Sequence, residues 1–207
     1  MPDFFYEQQC GDGLVFGLDE AGRGPWCGPV VAACVCWPNG EISDNLATAI
    51  NDSKKLSARK REALFPLILN SNAIVGIGQA SAAEIDEINI LQASFLAMKR
   101  ALDAVQKRGI VPNYALIDGN KLPRWDIPMR AVVGGDGKSL SIAAASIVAK
   151  VTRDHIMCEM ARQYPQYGWD KNAGYGTKVH IEALQKYGLT PYHRKTYAPI
   201  AKLLNTP

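Results

Sequence analysis

Two aspartates stand where strands of an α/β sheet are expected to end. Asp19 closes an apolar run just before a glycine-rich turn, and Asp118 closes another in Leu116-Ile117-Asp118-Gly119. Strand ends at the edge of such a sheet are where catalytic side chains usually converge. An aspartate at a strand end can also simply start a turn, and for either residue alone this structural role is the favoured interpretation.

A third aspartate, Asp154, lies in an alanine-rich stretch that predicts a long helix. Helical periodicity places it on the same face as Ala143, Ile147 and Val151, so we expect its side chain to point inward. A buried carboxylate is costly unless it is paired or bound to a metal. Lys150, one turn earlier, offers a salt bridge as the alternative, in the weaker orientation for such a pair. An inward Asp154 that met the two strand-end acids would form a carboxylate cluster, which suits Mg²⁺ or Mn²⁺ rather than zinc.

Glu20 follows Asp19 directly, and neighbours on a strand point to opposite faces. The two side chains can converge only if the strand breaks there, which Gly22 and Gly24 permit. Paired glycines also let a backbone come within hydrogen-bonding reach of a ligand, and Arg23 can donate a fork of hydrogen bonds to a phosphate. The chain has no GxxxxGK[ST] sequence, so a nucleotide-binding phosphate loop is not indicated.

Basic and aromatic residues concentrate near the end of the chain. From Lys171 onward there are six basic residues and one acid, against a net charge of only +3 for the whole chain, and six of the eight tyrosines follow position 160. Such a segment suits a surface that follows phosphates, or a small cluster in which tyrosines pack helices together. Lys54, in Asn51-Asp52-Ser53-Lys54-Lys55, could likewise contact phosphate or merely precede a helix.

Composition indicates a soluble globular chain with one sizeable core. Its 207 residues are 47% hydrophobic and 21% charged, and no apolar run approaches the length of a membrane span. The first residues lack the layout of a secretory signal, so we expect a cytoplasmic protein. The five cysteines show no zinc spacing, and Cys34 and Cys36 are best interpreted as small buried hydrophobes on one strand face.

The elements that must position these residues follow from periodicity and from glycine and proline. Strands are expected at 15–19, 30–37, 73–79, 114–117 and 129–133. Helices are expected at 57–70, at 90–108 behind a Ser81–Glu84 capping box, at 141–163 and at 177–187, with a last turn near Pro199. The fold class is therefore α/β: a mixed sheet flanked by helices over residues 1–160, then a small helical C-terminal subdomain over 161–207.

Taken together, these segments resemble the type 2 ribonuclease H family (ribonuclease HII), with ordered matches over nearly the whole chain. The matching blocks are Gly17-Leu18-Asp19-Glu20-Ala21-Gly22-Arg23-Gly24-Pro25, Asn51-Asp52-Ser53-Lys54-Lys55-Leu56, Glu84-Ile85-Asp86, Ile117-Asp118-Gly119, the stretch from Ala143 to Asp154, Tyr164-Pro165-Gln166-Tyr167-Gly168, Gly174-Tyr175-Gly176-Thr177-Lys178 and His193-Arg194-Lys195. The resemblance implies a ribonuclease H-like core and a metal-dependent endonuclease that takes Mn²⁺ or Mg²⁺. Its substrates would be RNA/DNA hybrids and duplex DNA containing ribonucleotides, cut on the 5′ side of the ribonucleotide to leave 5′-phosphate and 3′-OH ends.

The resemblance also implies roles for single residues. The acids that match the family's metal ligands are Asp19, Glu20, Asp118 and Asp154. The backbone of Gly22, Arg23 and Gly24 would read the ribose 2′-OH. The ring of Tyr175 would pack against the sugar at the RNA–DNA junction. Phosphate contacts are expected from Lys54, Lys178 and Arg194.

Two departures from the family pattern remove positive charge. Ala173 stands where a basic residue is usual, and Gly134-Gly135-Asp136 replaces the common Lys-Gly-Asp. Both should weaken duplex binding rather than chemistry. The alternatives are a DNA nuclease with the same fold and a nucleic-acid-binding module without catalysis. We expect a monomer, His155 in a structural or surface role, and too short a stretch after Leu204 for a sliding-clamp-binding tail.

Overall fold

A five-stranded sheet forms the centre of the computed structural model, which describes residues 1–204. The strand order is β3-β2-β1-β4-β5; β1–β2 and β2–β3 pair antiparallel, whereas β1–β4 and β4–β5 pair parallel. This confirms the predicted mixed α/β sheet. The strands are β1 Val15–Ala21, β2 Val30–Cys36, β3 Ile74–Ala80, β4 Tyr114–Asp118 and β5 Met129–Val132. The stretch after Leu204, on which the expectation about a clamp-binding tail rests, lies outside the described residues.

Helices cover both faces of the sheet and continue beyond it. They are α1 Phe5–Gln8, α2 Asp44–Ala49, α3 Ala58–Leu69, α4 Ala82–Gln106, α5 Leu140–Gln163, α6 Trp169–Asn172, α7 Lys178–Tyr187 and α8 Ala198–Leu204. One hydrophobic cluster joins α4 to side chains such as Phe16 and Ile117, and includes Cys34 and Cys36 as predicted. A second joins α3 and α5 to the opposite face of β2. Because β2 is covered on both faces, all seven of its residues are buried.

The long helix α4 begins earlier than its predicted start at residue 90. The predicted capping box is present, with Ser81 and Glu84 each bonding the other's backbone N–H. Asn89 then interrupts the helix with a φ of 65°, and its side chain accepts hydrogen bonds from the N–H groups of Leu91 and Gln92. The apolar helical periodicity that begins at residue 90 therefore belongs to the second segment of α4, whose N-terminus is capped by the Asn89 side chain.

The packing of α5 against β1 depends on one glycine. A Cβ atom at Gly17 would lie 2.3 Å from the backbone nitrogen of Ile142, so only glycine lets the first turn of α5 approach this closely. Ser139 caps the helix by accepting a hydrogen bond from Ile142 N–H. The start of α5 is thereby fixed beside the strand that carries Asp19.

A third hydrophobic cluster lies beyond the sheet and combines the end of α5 with the C-terminal helices. Trp169 and Tyr167 stack at its centre with ring centroids 4.9 Å apart, and Met157 and Met160 of α5 belong to the same cluster. The C-terminal elements are helical as predicted, while a boundary at residue 160 stays a prediction. Within residues 1–204, no helix has the length and apolar character needed to cross a membrane.

Candidate active site

Asp19 and Asp118 meet because of the register between two parallel strands. The last paired residues of β1 and β4 are Leu18 and Ile117, so the two aspartates occupy the next positions on neighbouring strands. Side chains at matching positions of adjacent strands lie on the same face of the sheet. Here that face is the one covered by α5, and carboxylate oxygens of Asp19, Asp118 and Asp136 all lie within 4.8 Å of one another.

Asp136, the third member of this group, was missed by the sequence prediction. It is 6% exposed and lies in the short 3₁₀ turn after β5. The N–H of Gly135 donates to Asp118 Oδ1 at 2.7 Å, so the turn docks on one acid and brings a second beside it. A signal was present, since Gly134-Gly135-Asp136 keeps the acid of the family's Lys-Gly-Asp.

The structure does not bring Asp154 into this group, which corrects the expectation that it points toward the strand-end acids. Its carboxylate accepts a hydrogen bond from Lys150 Nζ at 2.6 Å, and its side chain is 29% exposed. The first part of α5 is buried on all sides, so its apolar residues do not define a single inward direction. At this point of the helix the buried side chain is that of Arg153, 1% exposed. The salt-bridge alternative is the one observed.

Glu20 lines the same cleft but stays outside the group of three acids. The strand does not break at Asp19, because β1 continues to Ala21 in register with β2. The Glu20 carboxylate accepts a hydrogen bond from Arg23 at 3.3 Å, while its own N–H donates to Asp19 Oδ1 at 2.7 Å. The two side chains therefore leave the strand in different directions, yet both line the same cleft.

Burial and mutual repulsion make Asp19, Glu20 and Asp118 hard to ionise without a cation. Burial raises the pKa of Asp19 well above its usual value, and the charges of Glu20 and Asp118 raise it further. Burial is also the main cause that raises the pKa of Asp118 and of Glu20. Lys54 partly compensates the negative charge, with its Nζ 3.1 Å from Asp136 Oδ2. An oxygen-only set of ligands with excess negative charge fits a hard divalent cation such as Mg²⁺ or Mn²⁺.

The acids open into a cleft of about 390 Å³. The other cleft residues include a glycine-rich turn, two basic side chains and an aromatic ring: Gly22, Arg23, Gly24, Lys54 and Tyr175. A Cβ atom at Gly24 would lie 3.3 Å from the ring of Tyr175, so the half-exposed ring rests against this turn. The structure thus collects every predicted substrate-binding residue except Lys178 and Arg194 around one opening.

Arg194 is not placed to contact a phosphate, which corrects another prediction. It is fully buried, and its guanidinium donates to the carbonyl oxygens of Gly22, Arg23 and Gly28 at 2.6 to 3.0 Å. The basic character of the C-terminal segment did not reveal that this one charge is internal. Lys178 lies on the surface at the start of α7, with its Nζ 3.8 Å from Glu182.

His155 has the surface position that was expected of it. Its side chain is about half exposed, and its Nε2 lies 3.1 Å from the carboxylate of Glu62. It therefore takes no part in the group of acids.

Comparison with known proteins assigns this arrangement to a family. A sequence model described as ribonuclease HII matches residues 16–200. The chain is 52% identical over 204 residues to the ribonuclease HII of Paramagnetospirillum magneticum, covering 99% of each chain. It superposes on the crystal structure of ribonuclease H2 from Pyrococcus horikoshii with a TM-score of 0.72 and 27% identity, covering 92% of this chain and 97% of the other. A ribonuclease HIII (Bst-RNase HIII) solved in complex with Mn²⁺ has the same fold, with a TM-score of 0.73, 19% identity, and 99% and 73% of the two chains covered.

Proposed function

The chain belongs to the ribonuclease HII family of metal-dependent nucleases, and we propose that it cuts the RNA strand of RNA/DNA hybrids and incises duplex DNA on the 5′ side of a single embedded ribonucleotide. The observation that carries this proposal is a single cleft with two unlike walls. One wall is the group of acids at the end of β1 and β4. The other is the glycine-rich turn with the ring of Tyr175 against it.

The first wall would supply the chemistry. Four carboxylates, those of Asp19, Glu20, Asp118 and Asp136, would hold Mg²⁺ or Mn²⁺, with Asp136 replacing Asp154 in the predicted set. Divalent ions held by these carboxylates would supply the activation of a water and the stabilisation of the leaving 3′ oxygen, with 5′-phosphate and 3′-OH ends as the products. The hydrogen bond from Gly135 N–H fixes the orientation of the Asp118 carboxylate before any ion binds.

The second wall would supply the selection for RNA. Only the 2′-OH distinguishes a ribonucleotide from a deoxyribonucleotide at a given site, and it is both a donor and an acceptor. The backbone at Gly22, Arg23 and Gly24 can approach a sugar because two of these residues lack side chains. The Tyr175 ring can pack on the same sugar, and Lys54 and Arg23 can contact flanking phosphates across the cleft.

Cleavage of three duplexes tests this proposal. The first carries one ribonucleotide in DNA, the second is a long RNA/DNA hybrid, and the third is all DNA, each with Mn²⁺, with Mg²⁺ and with a chelator. We expect cleavage of the first two only, 5′ to the ribonucleotide in the first, and none with the chelator. Cutting of the all-DNA duplex would instead support a general DNA nuclease of the same fold, and no cutting of any would support a binding module.

A further inference from the structure

Two arginines lie buried against the glycine-rich turn, and Arg153 also contributes to the inner lining of the cleft. Arg153 of α5 is 1% exposed, and Arg194, between α7 and α8, is fully buried. In the described part of the chain, neither forms a salt bridge with a carboxylate; both guanidinium groups are directed at backbone carbonyls. Burying a charged group is costly, so such an arrangement needs a structural or functional reason.

The carbonyls that they hold belong mostly to the segment between β1 and β2, residues 22–29. Arg194 donates to the carbonyl oxygens of Gly22 at 2.6 Å, Arg23 at 3.0 Å and Gly28 at 3.0 and 2.9 Å. Arg153 donates to those of Cys27 at 3.2 Å and Pro29 at 3.0 Å, and to Ala173. A fork of five N–H donors can satisfy several carbonyls at once, which a lysine cannot do in the same geometry.

These contacts fix the direction of two backbone N–H groups. All described peptide bonds are trans, so the N–H of each peptide unit points opposite to its carbonyl. The Gly22 and Arg23 carbonyls face Arg194, and therefore the N–H groups of Arg23 and Gly24 face away from it. Neither N–H donates a hydrogen bond to any other residue in 1–204, and both residues line the cleft.

The position of Arg153 also explains why residue 22 is a glycine. Its φ is +99°, and a Cβ atom there would lie 2.0 Å from Arg153 Nε and 2.9 Å from the Pro29 carbonyl oxygen. Any side chain at position 22 would push the guanidinium of Arg153 out of its place. The glycine thus allows a buried cation to lie directly against the turn.

On the basis of the proposed function, we infer that Arg194 and Arg153 are positioning residues for ribose recognition. They hold the carbonyls of residues 22–29 toward the protein interior, which leaves the N–H groups of Arg23 and Gly24 pre-oriented in the cleft as donors to the 2′-oxygen. Neither arginine touches the substrate. Their role is geometric, so a lysine that keeps the charge but cannot fork onto three carbonyls does not replace Arg194.

Binding without cleavage isolates this role. The measurement is the dissociation constant of a duplex with one ribonucleotide and of its all-DNA counterpart, by fluorescence anisotropy with Ca²⁺ in place of Mg²⁺. Arg194→Lys should reduce the preference for the ribonucleotide about tenfold, the effect of weakening two hydrogen bonds, while the affinity for all-DNA duplex changes less than about twofold. Arg153→Lys should reduce the preference in the same direction and by less.

Two controls separate positioning from general destabilisation. Ile68→Ala creates a cavity in the hydrophobic cluster between α3 and the sheet and lowers the melting temperature, and it removes no hydrogen bond of the turn. Arg108→Lys removes a guanidinium–carbonyl contact on β3. Both should keep the ribonucleotide preference of the unmodified protein. If Arg194→Lys also keeps it, or if it weakens binding of both duplexes equally, the inference is wrong.

A milder variant gives the same answer if the arginine variants do not fold. The Tyr197 hydroxyl donates to the Arg23 carbonyl and accepts from Arg194, so Tyr197→Phe loosens the turn while leaving both charges buried. We expect the preference to fall about threefold. An unchanged preference in this variant overturns the inference. If the unmodified protein shows no binding preference for the ribonucleotide-containing duplex, both the proposed function and the inference about the arginines are wrong. If the unmodified protein shows the preference and these variants keep it, only the inference about the arginines is wrong.

Discussion

Two parts of the molecule each bring three metal-ligating side chains together, yet they differ in what their ligand atoms already contact. The acid group is Asp19, Asp118 and Asp136; the histidine group, in the C-terminal part, is Cys27, His180 and His193. In each group, one ligand atom per residue lies within 4.8 Å of the others. Distance alone therefore does not distinguish them.

The two histidines of this group are satisfied by hydrogen bonds within the protein. Thr190 N–H donates to His193 Nδ1 at 2.9 Å, and His180 Nδ1 lies 3.0 Å from the Tyr175 carbonyl, to which it must donate. Because His193 Nδ1 accepts, His193 carries its proton on Nε2 and donates it to His180 Nε2 at 3.0 Å. Each ring then has one donor and one acceptor nitrogen, so both rings are neutral. Burial, followed by the neighbouring His180, lowers the pKa of His193 to about 4, in agreement with a neutral pair.

The acid group has the opposite character. Its carboxylates repel one another, and a single lysine ion pair compensates part of their charge. Asp19 and Asp118 also line an open cleft. A set of ligand atoms therefore favours a metal ion when its negative charge exceeds what its hydrogen-bond and ion-pair partners compensate. The histidine group instead fixes the backbone that carries Tyr175.

The largest expected effect tests which acids belong to the metal site. Asp136→Asn should lower the cleavage rate by about a thousandfold or more, since it removes a proposed metal ligand at the reacting centre. Asp154→Asn is the matched control, and it should stay within about threefold of the unmodified protein because its partner is Lys150. Single-turnover cleavage of the ribonucleotide-containing duplex measures both. If the two variants lose cleavage rate equally, Asp154 belongs to the metal site.

Stability against pH tests the neutrality of the histidine group. The folded-state pKa of His193 is lowered from 6.5 to about 4, so unfolded chains take up a proton first as the pH falls. Its contribution, roughly 3 kcal/mol, is present above pH 6.5 and is lost progressively as the pH falls toward 4.

His193→Gln should therefore flatten the difference in unfolding free energy between pH 7 and pH 4.5, measured by urea denaturation. The His155→Gln variant is the control, because this exposed ring lies outside the group. An equal pH dependence in the unmodified and His193→Gln proteins would show that the pair is not buried in its neutral form.

Metal binding should stabilise the protein through the acid group only. Mn²⁺ at 100 times its dissociation constant adds about 2.7 kcal/mol, or roughly 5 to 10 °C in melting temperature for a chain of this size. Asp19→Asn should abolish this shift and raise the metal-free stability by on the order of 1 kcal/mol, because it relieves repulsion among buried carboxylates. Cys27→Ser should keep the full Mn²⁺ shift; its loss there would assign the metal to the histidine group.

The smallest effect concerns the surface of the C-terminal part. Lys178→Ala should weaken duplex binding by about threefold at low salt. It should also reduce the slope of the logarithm of the binding constant against the logarithm of the salt concentration by about one, the contribution of one phosphate contact. Because a phosphate contact carries no sugar information, the ribonucleotide-containing and all-DNA duplexes should lose affinity equally. A loss confined to the ribonucleotide-containing duplex would mean that Lys178 acts near the sugar instead.

Local patterns in the sequence were sufficient for most of the fold. Continuous apolar runs between glycines and prolines predicted all five strands, and the capping box at Ser81 was visible as a spacing. The break at Asn89 was not, because a left-handed residue inside a helical pattern leaves no periodic signal. Similarly, the two strand-end acids were found because a strand places its last residue at a sheet edge whatever the rest of the chain does.

The sequence alone determined the mixed sheet, the family and the positions of Asp19 and Asp118, all of which depend on contiguous residues and their order. Tertiary structure decided which third aspartate joins them and which arginine is internal. Asp136 reaches the group through the docking of Gly135 on Asp118, and Arg194 reaches Gly22 across 172 positions of chain. Such placements depend on how elements distant in sequence pack against one another. Helical periodicity at Asp154 and net charge near Arg194 describe each residue only relative to its neighbours in sequence, so neither pattern could predict these contacts.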